Sequence, residues 1–514
     1  MIFGRVKPLD AILATAEKKA LRRSLGAVQL TLLGVGAVIG TGIFVLTAQA
    51  AQTAGPAMMV SFTIAALVCG VTALCYAELA SMVPVAGSAY TYTYAVVGEL
   101  LAWMVGWALI LEYAVAASAV SVGWSGFFVG LLHSALGITV PPALANGPFA
   151  GGLINLPAVL IALLVTALLT IGTSESARVN AALVAIKVLA LTIFIFATVA
   201  VAKGETFHPF APNGWGSPGV LGAAASIFFA YVGFDAVSTA AEETKNPQRN
   251  LPIGIIGSLG ICTVFYLLVA AGTIGTAGAQ PVTGAGGAML AAGSNELAAR
   301  CSSLASAGVQ PVVCSNEALA HVLRQIGHPR LGDLLGLAAS IAMPSVILMM
   351  LFGQTRVFFV MARDGLLPER LGAVHPRWGT PHIVTGITGA FVAVAAGFFP
   401  VGQLANISNS GTLFAFAMVA LAVMILRRKD PSRHRPFRTP MLRITGPIAI
   451  LGCVGLYLSL PLEAKLVLLI WGGIGLIGYF GYGYRRSHVG RGLVELHEDD
   501  ADAPSPLGVR PPPE

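Results

Sequence analysis

The stretch Gly34-Val35-Gly36-Ala37-Val38-Ile39-Gly40-Thr41-Gly42-Ile43-Phe44 sets four glycines inside an apolar run. Glycine costs a helix interior up to about 1 kcal/mol relative to Ala, and the Gly-Thr-Gly at 40–42 is where such a helix unwinds. The run around it, 28–53, is long enough to cross a bilayer, since about 20 apolar residues span the roughly 30 Å hydrocarbon core. Unwound backbone at that depth is tolerated only where it lines a cavity inside the protein. The second half-helix then turns free N–H groups and its positive dipole end to the cavity, which suits a carboxylate. Close packing through small residues explains the glycines equally well.

Eleven further runs follow, near 57–80, 97–132, 153–172, 178–202, 217–239, 251–276, 333–361, 381–399, 403–426, 444–461 and 464–484. They are called runs 2 to 12 below. The 514-residue chain is 56% hydrophobic and only 10% charged, with a mean hydropathy of +0.80. A soluble chain carries about 25% charged residues and could not hide this much apolar surface. An ordinary soluble enzyme, a disordered chain and a nucleic-acid binder are therefore excluded, and no alternating barrel strands occur. The expected fold is an all-α integral membrane protein with twelve transmembrane helices.

The formal charge of +7 is clustered rather than striped. With the N-terminus in the cytoplasm, 24 of the 30 Lys and Arg fall in cytoplasmic segments, seven of them in the loop between runs 10 and 11. The positive-inside rule thus puts both termini in the cytoplasm. Residues 1–27 form a cytoplasmic arm, too charged for a cleaved signal peptide. The 486–514 tail, acidic and then Pro-rich, reads as disordered. The 277–332 insert lies outside, with short helices expected around Asn295 and Glu317. It holds Cys301 and Cys314, for which a bridge and two unpaired thiols are both open. Cys69, Cys75, Cys262 and Cys453 read as small hydrophobes.

Run 6 repeats the interruption of run 1. In Ser226-Ile227-Phe228-Phe229-Ala230-Tyr231-Val232-Gly233-Phe234-Asp235, a glycine and a carboxylate break an apolar helix at similar depth. Paired breaks in corresponding positions point to a transporter site between two inverted repeats. Freed carbonyls around Phe229 to Val232 attract an ammonium. Donors for a carboxylate beside acceptors for an amine describe an α-amino acid. Phe228, Phe229 and Tyr231 are either ligand contacts or packing residues. Charge at the bilayer centre costs at least about 2.5–3.5 kcal/mol, so three buried groups need a role. Lys187 lies about 13.5 Å along its helix from Arg178, where it can exchange a proton or brace run 1 against run 8 as a bound cation would. Glu112 in run 3 and Asp235 past the run 6 break are proton carriers or polar bridges between helices. Glu78 and Glu99, near cytoplasmic ends, read as interfacial.

Six stretches carry a resemblance: GVGAVIGTGIF (34–44), YAELASMVPVAGSAYTYTY (76–94), GELLAWMVGWALILEY (98–113), GTSESARVNAALVAIK (172–187), FFAYVGFDAVSTAAEETKNPQRNLP (228–252) and GQTRVFFVMARDGLLP (353–368). Over about 22–485 the chain resembles the cationic amino acid transporters of the amino acid–polyamine–organocation superfamily. The resemblance implies an inverted repeat of 5+5 helices, 28–202 and 203–426, with runs 11 and 12 (427–485) outside it. It implies proton-coupled amino acid uptake by alternating access. Gly40, Thr41 and Gly42 would bind the substrate carboxylate, and carbonyls of Val38, Ile39, Phe229, Ala230 and Val232 its amine, beside Tyr231. Lys187 would replace the sodium ion of sodium-coupled relatives. Glu112 and Asp235 would serve proton coupling. Run 8 would set side-chain selectivity near Met343, where Met343-Pro344 departs from the family pattern.

The expected function is therefore import of cationic or small neutral amino acids with protons across a bacterial inner membrane. The alternatives are an exchanger, a neutral amino acid permease, or a channel or sensor that does not accumulate substrate. An enzyme would need a nucleophile–base or metal cluster at membrane depth, and neither HExxH nor GxSxG occurs, so no cofactor or metal is expected. The expected partners are the amino acid, protons and lipids. The sequence decides neither the preferred amino acid nor a small membrane subunit.

Overall fold

The computed structural model describes residues 5–7, 9, 25–85, 87–172 and 177–492. The arm residues Lys18, Lys19, Arg22 and Arg23, residues 173–176 of the 172–187 stretch, and the acidic, Pro-rich tail lie outside the described residues.

Among the described residues the fold is all helix, without a β-strand, and each of the twelve runs is helical. Among the described residues, nine helical stretches are long and apolar enough to cross a membrane, and Ala27–Val38, Leu156–Ile171 and His382–Phe398 are shorter apolar helices. With backbone hydrogen bonds satisfied inside each helix and apolar side chains on all sides, such segments are stable in lipid. Helix ends follow local chemistry. Asn155 caps run 4 by accepting from the Ala158 N–H at 3.2 Å. Gly137 and Gly172 close runs 3 and 4 in the left-handed conformation, at φ of +66° and +87°.

Runs five apart in sequence lie against each other: 2 on 7, 3 on 8 and 4 on 9. The long run 3 helix (Glu99–Leu136) sits at the centre, packed on run 8 (Pro329–Arg363) and run 10 (Val401–Lys429). A helix absent from the sequence reading, Ser88–Val96, joins runs 2 and 3 and packs on runs 3 and 10.

The insert contains the helices Asn295–Ser306 and Ala318–Gln325, and run 8 begins at Pro329, taking in the insert's last residues. Cys301 and Cys314 are joined, their Cα atoms 5.5 Å apart. Gln52, buried at the end of run 1, holds the insert: its Nε2 donates to the Val282 and Leu290 carbonyls at 2.9 Å, and its Oε1 accepts the Val282 N–H at 2.8 Å. At the opposite end of the molecule, the arm end, the expected disorder from 486 onward starts too early. Ser487 to Arg491 fold back on the protein, with Ser487 wholly buried, because their polar groups find partners on Glu99 and Asp364.

Candidate functional site

Run 1 breaks where the glycines predict, but one residue early. The first half is Ala27–Val38. Ile39 and Gly40 leave helical geometry (φ/ψ −74/96° and −150/−147°), and helix resumes at Thr41. Gly42 is therefore helical, and its missing side chain serves contact: a Cβ there would lie 2.3 Å from Ala230 Cα in run 6. The other glycines each admit a different neighbour. A Cβ on Gly34 would meet Ser258 of run 7 at 2.5 Å, and one on Gly36 would meet Val184 of run 5 at 2.8 Å. Gly40 lies against Val346 of run 8 at an ordinary 3.5 Å. Unwinding and close packing are both present.

Run 6 breaks after Val220–Ile227 and a 3₁₀ turn, Phe228–Tyr231. Val232 is extended, and helix resumes at Ala236. Gly233 turns the chain with φ +119°, and a Cβ on it would stand 3.0 Å from the Ala37 carbonyl group. The two breaks thus touch twice, at Gly42–Ala230 and Ala37–Gly233.

Their backbone groups are incompletely paired. The Ile43 and Phe44 N–H groups both turn to the Gly40 carbonyl at 3.3 Å. Among the described residues, the N–H groups of Gly40, Thr41 and Gly42 reach no protein acceptor, and the carbonyls of Ile39 and Val232 reach no donor. The Thr41 hydroxyl, buried against the Cα of Gly123 in run 3, also has no partner. The Phe229 carbonyl accepts the Val232 N–H at 3.2 Å. The sequence reading missed Tyr266 of run 7, whose hydroxyl faces both the Val38 carbonyl (2.8 Å) and the Ala230 carbonyl (2.9 Å). One hydroxyl has one hydrogen, so only one of the two carbonyls receives it at a time.

The aromatic residues divide. Tyr231 turns away from the breaks and donates to the Phe62 carbonyl at 3.1 Å, and Phe228 packs on Phe416. Phe229 alone of the three keeps exposed surface, 6%. Run 8 brings Val346, one turn beyond Met343, against Gly40, and Met343 is wholly buried.

Lys187 is buried, with its Nζ 2.8 Å from the Gly36 carbonyl and 3.4 Å from Ser345 Oγ. It therefore ties run 5 to the run 1 half-helix and to run 8. Asp235 accepts the Gly233 N–H at 3.2 Å and the Tyr113 hydroxyl at 2.9 Å, closing the run 6 break against run 3. Glu112, next to Tyr113, is wholly buried, and among the described residues neither carboxyl oxygen has a hydrogen-bond partner. It lies beside Gly411 of run 10, and Ser408 Oγ donates to its main-chain carbonyl at 3.2 Å. The polar Asn406-Ile407-Ser408-Asn409 of run 10 was a legible signal that went unused. Asn409 Nδ2 donates to the Ala225 and Ser226 carbonyls at the end of the first half of run 6.

Glu78 and Glu99, at helix ends, are covered by the protein itself. Both are buried. Glu78 pairs with Arg427 at 2.6 Å and accepts the Thr439 N–H at 2.7 Å, because the basic segment after run 10 folds over it. On the insert side a cavity of about 550 Å³ reaches down to Val45 and Leu46. Among the described residues, ties cross the arm end. Leu25 and Thr244 form a parallel bridge, and Arg356 of run 8 donates to the Thr239 carbonyl (2.7 Å) and to Glu243 (3.1 Å). Among the described residues no group of three metal-ligating side chains occurs.

Residues 25–471 match the amino acid permease family. The chain is 44% identical over 490 residues to the branched-chain amino acid permease BcaP of Bacillus subtilis, covering 95% of this chain and 98% of that protein. It is 40% identical over 488 residues to the methylthioribose transporter of the same organism, covering 94% and 98%. It is 36% identical over 423 residues to the vacuolar cationic amino acid transporter 4 of Arabidopsis thaliana, covering 80% and 64%.

Proposed function

The chain belongs to the amino acid permease family, and on that premise we propose that it imports amino acids with protons across a bacterial plasma membrane by alternating access. It is a multi-pass membrane protein. In this reading it crosses twelve times as two inverted repeats, has both termini in the cytoplasm and carries no catalytic chemistry. The observation that carries the reading is the meeting of two helix breaks. Unpaired N–H groups at Gly40, Thr41 and Gly42 stand in one buried region with unpaired carbonyls at Ile39 and Val232. The donors suit a carboxylate and the acceptors an ammonium.

Arrival of the ammonium at Val38 and Ala230 supplies the hydrogens that the single Tyr266 proton cannot. The protein closes from the insert side, the ties at the arm end release, and the substrate leaves inward. Lys187 would couple this to protons: charged, it holds the Gly36 carbonyl and with it the first half of run 1, and a neutral lysine holds it more weakly. Glu112 and Asp235 are the further candidates for the proton route. Side-chain selection falls to the groups beyond the backbone contacts, Phe229 and Val346. Relatives named for branched-chain substrates favour a neutral over a cationic amino acid within this reading.

A second reading has a specific support. The 40%-identical relative is named for methylthioribose, a thiosugar with hydroxyls but no carboxylate or amine. Free peptide groups also hydrogen-bond hydroxyls. Purified protein should be screened with the twenty amino acids and methylthioribose for thermal stabilisation, which binding produces by mass action. Binders then go to proteoliposomes with and without an inward proton gradient. Stabilisation by an amino acid and gradient-driven accumulation are expected. Stabilisation by the thiosugar alone selects the second reading. A Lys187→Met variant that keeps full response to the gradient refutes the lysine's role.

A further inference from the structure

The arm end holds a second cluster of buried charge that the substrate site does not use. Glu99, wholly buried at the start of run 3, accepts from Arg5 Nη1 at 3.2 Å, from the Tyr94 and Tyr479 hydroxyls at 2.9 Å each, and from Ser487 Oγ. Asp364, at the end of run 8, accepts Lys7 Nζ and the Tyr90 hydroxyl at 2.8 Å each. Arg5 and Lys7 belong to the N-terminal arm, which precedes the first half of run 1.

The far end of the chain closes over this cluster. Arg5 Nη1 donates to the Tyr484 carbonyl at 2.7 Å, and its guanidinium lies 4.0 Å over the Tyr484 ring. The His488 N–H donates to the Asp364 carbonyl at 3.1 Å. Gly365 (φ +76°) makes room: a Cβ there would stand 2.7 Å from both the Arg486 carbonyl and the His488 ring. The run 12 helix passes through a π-helical turn, Tyr479–Gly483, before a last turn at Tyr484–Arg486; π turns are rare and frequent at functional sites. A buried carboxylate is costly unless fully hydrogen-bonded. Two of the four side chains satisfying Glu99 come from Tyr479 and Ser487, and Tyr484 holds the cation that supplies a third. Nothing in the two-repeat mechanism requires helix 12 to take part in this.

We propose that the segment from Tyr479 to Gly490 is a latch on the inward gate. Tyr479 and Ser487 fix the Glu99 carboxylate and Tyr484 fixes its Arg5 partner, so that Arg5 cannot leave the end of run 3 until this contact opens. The latch rests on the alternating-access reading above, in which the arm end is cytoplasmic.

The test is the rate at which a membrane-impermeant maleimide, applied from the arm side, labels an Ala240→Cys reporter in proteoliposomes. Ala240 lies at the arm end of run 6 and is 7% exposed, and the four free native cysteines are buried. Loss of one hydrogen bond to a charged group shifts an equilibrium by roughly tenfold. About tenfold faster labelling is therefore expected in Ser487→Ala and in Tyr479→Phe, each of which removes a hydrogen bond to Glu99, with a smaller rise in Tyr484→Ala, which removes the ring beneath the Arg5 guanidinium but keeps the main-chain carbonyl. Substrate-induced thermal stabilisation, measured on the same preparations, reports folding. Should Tyr484→Ala fail to fold, Ser487→Ala and Tyr479→Phe decide. Folded variants that label at the parent rate overturn the latch and leave the transport reading intact. Absence of stabilisation by any amino acid in the unmodified protein strikes the transport reading instead.

Discussion

Gly40 and Gly42 flank the same threonine and look alike in the sequence, yet the structure gives them different work. A methyl group on Gly42 would stand 2.3 Å from Ala230 Cα, 2.7 Å from its Cβ and 3.0 Å from its nitrogen. Ordinary carbon contacts begin near 3.4 Å, so Gly42→Ala must push the two breaks apart by about 1.1 Å. The obstacle is backbone, which cannot rotate away. On Gly40, where φ is negative, the same methyl meets the flexible Val346 methyls at 3.5 Å. Overpacking typically costs about 1–3 kcal/mol, equivalent to roughly 5- to 150-fold in an equilibrium. Gly42→Ala should therefore bind substrate at least about tenfold more weakly and lose uptake with it. Gly40→Ala should lose several-fold less. Isothermal titration of both purified variants, with uptake in proteoliposomes, measures the difference. Equal losses at the two positions, or a Gly42→Ala protein with parental affinity, would refute the claim that direct contact of the breaks builds the site.

Glu112→Gln should fold at least as stably as the parent, since it replaces a buried carboxyl whose oxygens have no hydrogen-bond partner among the described residues, while gradient-driven accumulation falls about tenfold or more and substrate exchange persists. Loss of exchange and accumulation together would make Glu112 a structural group instead. Burial, then the neighbouring Arg491, holds the His488 imidazole below its ordinary 6.5, with Lys7 acting the same way and Asp364 and Glu369 opposing. The docked ring is thus the neutral one. Its contribution is complete above about pH 6.5 and is lost as pH falls through the lowered value. The Tm advantage of the parent over His488→Gln should accordingly shrink from pH 7.5 to pH 5, and a pH-independent difference would contradict the docking.

Much of this was legible because lipid imposes one-dimensional rules. Apolar length located the runs, and glycine with a buried carboxylate located both breaks to within a residue or two. Lys187 declared itself by sitting where a lysine cannot reach water. Tertiary cover escaped the same rules. Glu78 and Glu99 sit at helix ends, where depth alone makes them interfacial. Their burial comes from Arg427, Arg435 and Ser487, hundreds of residues away. Tyr231 and Tyr266 are both tyrosines in apolar helices, and nothing local tells that one serves the Phe62 carbonyl and the other bridges the breaks.

The glycines of run 1 also dissolve an apparent choice between unwinding and packing. Gly34 and Gly36 lie in regular helix, and what they give up is bulk, letting run 7 and run 5 approach. The approach at Gly36 matters to the site. With Val184 of run 5 packed against its Cα, Lys187, one turn on in the same helix, reaches the Gly36 carbonyl. A side chain at 36 would hold run 5 off and leave a buried ammonium without that acceptor. The break four residues later frees peptide groups, and Gly42 brings them within reach of run 6. A single helix without side chains at these positions can thus meet the lysine on one face and the second break on another. In the proposed reading, proton and substrate would be coupled through this one half-helix, whose Gly36 carbonyl and Val38 carbonyl lie two residues apart on the same strand of backbone.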